Sequence, residues 1–290
     1  MNTRRQAMGR VVHGLSRCTI ALFAVLVATG AATAAEITGE LMLWHDIRLT
    51  FKGPDVSETD EYNPFLGYRL DVTFTQGDRQ VRVPGYYAAD GNAAESSAAS
   101  GNRWRVHFVP DTTGTWTYTA SFRKGQNVAV SEKRDAGVPV AFDGESGSFE
   151  VAPTDKSGRD HRGKGMLQYV GMHHMRYTGS GEYFSIVGSQ SPENFLAYFE
   201  FDNTVDYRGP TKGMPNPDQL HHYEPHVRDW RPGDPTWQNG KGKGIIGVLN
   251  YLAAKNLNSF YTLTMNNYGD TMDINPWIAY EEFTRYDVSK

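Results

Sequence analysis

Residues 103–122 read RWRVHFVPDTTGTWTYTASF. Trp104, Val106 and Phe108 alternate with Arg103, Arg105 and His107. Beyond a turn, Trp116, Tyr118, Ala120 and Phe122 alternate with Thr115, Thr117, Thr119 and Ser121. A period of two with one apolar face is what an antiparallel strand shows when one side covers a core and the other meets water. The link Pro110-Asp111-Thr112-Thr113-Gly114 is rich in turn formers, so the stretch predicts two strands joined at a corner.

The same pattern recurs outward. Ile47, Leu49 and Phe51 form one alternating face, and Leu70, Val72 and Phe74 form another. Breaks fall at Gly53-Pro54, Gln76-Gly77-Asp78 and Lys124-Gly125, close to the spacing of strands in a sandwich. Residues 36–152 are therefore expected to form an all-β, immunoglobulin-like sandwich. The 110–118 corner resembles the one before strand F of such domains, where a Tyr hydroxyl bonds backbone. Tyr118 or Trp116 is the expected anchor. Gly91 to Gly101, rich in Ala and Ser, is expected to be a mobile loop.

The first residues carry Arg4, Arg5, Arg10 and Arg17, then the apolar run Thr19 to Thr29, then Ala32-Thr33-Ala34. This is the order of a secretory leader, with residues 1–35 removed and a start near Ala35 or Glu36. The run is short of the roughly 20 residues of an ordinary span, so no membrane is expected for the mature form. Arg4-Arg5 lies too far ahead of the apolar run to favour twin-arginine export. The four leader arginines leave with it, taking the net charge from −4 to −8. Such a surface disfavours phosphate backbones, and no nucleic acid is expected as partner. Cys18, the only cysteine, goes too, and mature stability rests on packing without disulfides.

After Val151 the composition changes. Residues 153–164 are polar and charged and read as a linker. From Gly244 to Asn256, Ile245, Ile246, Val248, Leu249, Leu252 and Ala253 fall on one helical face about 160° wide. Ser259 to Thr264 is β-rich, and Asn266 to Pro276 is a polar loop. Helix, strand, then polar loop is how a (β/α) barrel begins. Residues 165–290 thus read as the N-terminal part of a (β/α)8 barrel. With the chain ending at Lys290, the barrel is expected to be incomplete, leaving Ile245, Ile246 and Leu249 exposed.

The candidate chemistry lies in that second region. Asp202, with Asn203, follows Phe199-Glu200-Phe201, and Asp270 and Asp273 sit in the last loop. Carboxylates at strand ends bind sugar hydroxyls and, in pairs, cleave glycosidic bonds. The alternative for Asp270 and Asp273 is that they cap or turn the loop. Trp230, Trp237 and Trp277 lie in Gly/Pro-rich loops outside any apolar period, which suits stacking on a sugar face, with core closure the alternative. In an extended strand His222, Glu224 and His226 would share a face. Pro225 breaks that pattern and no zinc spacing is present, so no metal is expected. Gly240-Lys241-Gly242-Lys243-Gly244 lacks the arrangement of a phosphate loop, and no cofactor is expected.

Several blocks carry a family resemblance. They include Trp44-His45, Phe51-Lys52-Gly53-Pro54, Asn63-Pro64-Phe65, Val83-Pro84-Gly85-Tyr86-Tyr87 and Phe108-Val109-Pro110 with Gly114-Thr115-Trp116. They resemble the N-terminal sandwich, a domain of unknown function, of a bacterial secreted glycoside-hydrolase-like family. Phe201-Asp202-Asn203-Thr204, His226 to Trp230, Gly233 to Trp237 and Gly242 to Leu252 are similar to the first βα unit of its (β/α)8 barrel. The resemblance implies polysaccharide hydrolysis outside the cytoplasm, with catalytic Glu residues on later strands, so none is carried over here. The expected partner is a polysaccharide or oligosaccharide. The alternative is a non-catalytic carbohydrate-binding or surface β-sandwich protein.

Overall fold

The computed structural model describes residues 35–189, 194–202, 204 and 220–262. Nine strands make the first region: β1 (Glu36–Gly39), β2 (Ile47–Ser57), β3 (Tyr68–Gln76), β4 (Arg79–Pro84), β5 (Tyr86–Tyr87), β6 (Ser100–Phe108), β7 (Gly114–Lys124), β8 (Val138–Pro139) and β9 (Ser146–Val151). One sheet has the order β1-β2-β6-β5. In the other, β4-β3-β7 continues into β8 and β9, both paired with β7. The four alternating faces read from sequence all turn inward, none of their apolar residues more than 3% exposed. Pairing matches them in register, with Phe51 opposite Trp104 and Leu70 opposite Phe122. The region is a β-sandwich.

Rings join the two sheets. Phe74 of β3 stacks on Phe108 of β6 at 4.0 Å between centroids. Phe142, in the turn before β9, lies between Phe51 of one sheet (4.6 Å) and Phe122 of the other (4.3 Å), nearly parallel to both. At the corner it is Trp116 that closes the chain, its Nε1 donating to the Thr112 carbonyl at 3.1 Å.

A bulge interrupts β2 between Lys52 and Val56. The Tyr87 hydroxyl donates to the Val56 carbonyl there at 2.5 Å. Burial pushes that hydroxyl up to about 12, with Glu58, Asp60 and Asp55 adding to the shift. The Gly91–Gly101 stretch contains a helical turn, α2 (Ala93–Ser96), counting Pro64–Gly67 as α1. Asp90 fastens it, accepting from Asn92 N at 2.7 Å and Ser96 Oγ at 2.6 Å.

The stretch read as a linker is tied down. Glu40, before β2, accepts from His45 Nδ1 (2.5 Å), Lys156 Nζ (3.1 Å) and Arg162 Nη1 (3.1 Å). His45 is 1% exposed and also meets Thr154 Oγ1 at 3.0 Å. Polar composition here reflects charge pairing across the sandwich edge. Beyond it, β10 (Leu167–Tyr169), β11 (Met175–Tyr177) and β12 (Tyr183–Phe184) form a small antiparallel sheet.

The strands β13 (Gly188–Ser189) and β14 (Ser259–Phe260) then pair in parallel, with α3 (Lys243–Ala254) between them in sequence. Ile245 was expected to be exposed; it is 4% exposed, packed with Phe195, Tyr198 and Val248. Ile246 and Leu249 are half-buried. The helix has a second contact that periodicity did not reveal. A Cβ at Gly247 would stand 1.9 Å from the His226 carbonyl, so the backbone of a 3-10 helix, Glu224–Asp229, lies directly on α3.

Removing the bridging ring tests the sandwich. Phe142→Ala is expected to cost about 3–5 kcal/mol in urea unfolding, and Trp116→Phe, which loses the corner bond and empties part of the indole's space in the core, about 2 kcal/mol or more.

Candidate functional site

Two adjoining cavities, about 520 and 430 Å³, share Phe65, Tyr86 and Tyr87 on the sandwich. Tyr86 is 45% exposed. Its hydroxyl lies 3.1 Å from His107 Nε2, the two rings are within 10° of parallel, and His107 Nδ1 meets Asp46 Oδ1 at 2.9 Å. An exposed ring held this way loses little freedom when something stacks on it.

Asp71, 9% exposed, lines the larger cavity. Arg82 Nη2 donates to its Oδ2 at 2.5 Å, and Arg69 Nε stands 3.3 Å away on the other flank. Arg69 is held in turn by the carbonyls of Val128, Ser131, Lys133 and Arg134, at 3.2, 3.1, 3.1 and 2.6 Å. The groove thus combines aromatic rings with a fixed carboxylate–guanidinium pair. Its arginines (48, 69, 82, 105) nearly balance its acids (Glu58, Asp71, Glu132). Sequence reading placed no site here because the residues come from β3, β4, β5 and the 128–134 loop. The exposed Tyr86 beside the buried Tyr87 was the available signal.

In the second region, Trp237 is a packing residue. Its ring stacks on Phe201 at 5.3 Å, its Nε1 donates to the Glu200 carbonyl at 3.2 Å, and a Cβ at Gly242 would stand 2.0 Å from it. Packing thus takes part of the ring, and the residue is half-buried. Trp230 is half-buried, with Lys243 Nζ 4.8 Å from its ring centre. Asp202 is half-buried in a turn. Asn203, Asp270 and Trp277 lie outside the described residues.

The residue that organises this area is Glu200. Its Oε2 accepts from Gly242 N at 2.7 Å and from the Tyr198 hydroxyl. Gly242 is the N-cap of α3, so the carboxylate satisfies a helix-end donor and meets the positive end of the dipole. Burial, then the Glu200 bond and charge, raises the Tyr198 hydroxyl. Gln238, beside Trp237, reaches the sandwich: its N donates to Glu95 Oε2 at 2.7 Å and its Nε2 to Ser97 Oγ at 2.8 Å. Loop 237–242 therefore adjoins the turn that lines the smaller cavity.

The histidine cluster does not share a strand face, because Glu224–Asp229 is 3-10 helix. His226 Nδ1 pairs with Asp229 at 3.0 Å and His222 stacks on Phe199 at 4.1 Å. Among the described residues no three metal-binding side chains come together.

A family profile described as "Domain of unknown function (DUF5060)" matches residues 40–123, which contain the blocks of the sandwich resemblance. No curated protein matches the chain. Among solved structures, a candidate glycoside hydrolase from Bacteroides vulgatus is similar over 80% of this chain, at 17% identity and a TM-score of 0.43. The chain spans 42% of that structure's length.

His221 offers a test of the second region. Its Nε2 lies 2.9 Å from Asn194 Oδ1 and its ring stacks on Tyr223 at 5.0 Å. Burial, then the neighbouring His222, lowers its proton affinity. The unfolded chain therefore binds the proton first as pH falls below about 6.5, and stability drops until the folded residue also titrates. Urea midpoints should fall between about pH 7.5 and 5.5, and less steeply in His221→Asn.

Proposed function

We propose that this chain serves an exported glycoside hydrolase acting on a polysaccharide, with the sandwich holding the saccharide. The carrying observation is the groove, where Tyr86 is presented beside the Asp71–Arg82 pair. A sugar ring has an apolar CH face and a rim of vicinal hydroxyls. It calls for one aromatic plate and adjacent strong donors and acceptors. The near balance of charge in the groove favours a neutral saccharide over a polyanion.

The barrel reading is supported by the parallel β13–α3–β14 unit. Parallel strands joined by a helix are the unit from which (β/α)8 barrels are built. In that reading Asp202, Asn203, Trp230, Asp270 and Trp277 are contacts on the strand-end face, and no catalytic carboxylate is assigned. Export follows from the leader read in residues 1–35. A non-catalytic saccharide-binding protein is the second reading, favoured because the groove lies wholly on the sandwich.

Titration with neutral gluco-, manno-, xylo- and galacto-oligosaccharides tests the groove. One class is expected to bind, and Tyr86→Ala to weaken it about fivefold or more, the equivalent of ~1 kcal/mol of aromatic contact. Trp237→Ala should leave that affinity unchanged. Absence of binding to every class, or an affinity indifferent to Tyr86→Ala, would reject the site. Release of reducing ends from the bound polysaccharide separates the hydrolase from the binding protein.

A further inference from the structure

The smaller cavity of the sandwich is walled on one side by Ala93, Ala94 and Ala98, in and just after α2. A single four-residue turn of helix has little stability of its own, so its position depends on what holds it. The sandwich ties both ends of the segment. Arg105 Nη2 donates to the Gly91 carbonyl at 2.7 Å, and Glu58 N to the Ala99 carbonyl at 3.0 Å. The middle is held from the second region, where Gln238 donates from its backbone N to Glu95 Oε2 at 2.7 Å and from Nε2 to Ser97 Oγ at 2.8 Å. Gln238 stands in a turn closed by reciprocal backbone bonds between Trp237 and Lys241, at 3.2 and 2.8 Å. Lys241 Nζ donates to its Oε1 at 2.6 Å, which aims Nε2 at Ser97. Ser97 and Gln238 both have positive φ, 55° and 42°, a conformation that residues with side chains keep only where surrounding bonds impose it.

We infer that Gln238 is a positioning residue for the groove: by holding Glu95 and Ser97 it fixes the alanine wall of the smaller cavity, so that the second region completes a site built on the sandwich. The inference rests on the saccharide reading of that groove. Gln238 does not itself line the cavity and acts through the turn. A wall of alanines carries no polar side chain that could reach out to a ligand, so it shapes the site by its position alone. Where such a wall is loose, ordering it on binding subtracts from affinity; where it is already fixed, that loss is avoided. A carboxamide suits the task because it accepts and donates at once. One side chain thereby links Lys241 of its own turn to Ser97 across the junction.

The test uses the whole chain, titrated with the neutral oligosaccharide class that the unsubstituted protein binds. Gln238→Ala should weaken that affinity about threefold or more, the effect of losing one hydrogen bond. It should also speed amide hydrogen exchange in residues 93–98 by about fivefold. Ser97→Ala removes the same side-chain contact from the sandwich side and should weaken binding similarly. The double variant should bind no worse than the weaker single one, because the two residues share one contact. Faster exchange with unchanged affinity would reduce the contact to packing between regions and overturn the positioning role. Additive losses in the double variant would overturn it too. Should Gln238→Ala not fold, Ser97→Ala alone makes the same comparison of affinity and exchange. Binding that ignores both substitutions would sink this inference alone, whereas absence of binding by the unsubstituted protein would sink the saccharide reading beneath it.

Discussion

Aromatic rings crossing between two sheets are the constraint on which the rest of the structure depends. Phe142 touches Phe51 and Phe122 at once, and Trp104 contacts Tyr68, Tyr87 and Phe122. Rings this large fit only where the facing backbone gives way. A Cβ at Gly53 would stand 2.5 Å from Trp104, and one at Gly147 would stand 2.7 Å from Tyr118. The glycines are thus part of the core, though they bury nothing themselves. Cys18 is the one cysteine of the sequence, so no disulfide forms within the chain and this packing carries the stability that disulfides give many small domains.

The groove follows from how the edge of that core is finished. Arg69 draws the 128–134 carbonyls onto β3 while its Nε flanks Asp71. Arg123 does the same for residues 135–137, bonding the carbonyls of Asp135, Ala136 and Gly137 at 2.8, 2.8 and 2.7 Å. Backbone that would otherwise wander becomes a rigid wall, and the arginine that builds the wall also orients the carboxylate beside it. Site rigidity and loop anchoring therefore share one residue. A change at Arg69 would act on both, which is why Tyr86, supported separately by His107, is the cleaner probe.

The sandwich was legible because its strands are amphipathic and regular. Alternation identified the inward faces from Ile47 to Phe122, and the turn chemistry located the corner. Phe142 was not legible, since it sits in a turn with no period around it, and neither was the hold of Arg69 on the 128–134 carbonyls, which joins residues far apart in sequence. In the second region the helix was visible from its apolar face. Its other contact depends on Gly244 and Gly247, whose lack of a side chain lets neighbouring backbone approach. Apolar patterning does not register a surface made by absence. The packing of Trp237 was hidden for the opposite reason: a ring in a Gly-rich loop shows no period, and the loop folds onto Phe201 and Gly242.

The packing of Trp237 sits at the start of α3 in the second region. β13 and β14 are parallel, with α3 between them in sequence. Glu200 and Trp237 stand at the N-terminus of α3, both engaged, the carboxylate by Gly242 and Tyr198 and the ring by Phe201. They build the rim. Gln238 fastens that rim to Glu95 and Ser97 of the sandwich, so the N-terminus of α3 and the smaller sandwich cavity are neighbours. Under the proposed function, a ligand held along Tyr86 lies close to this junction, which gives a physical reason for the two regions to be joined in one protein.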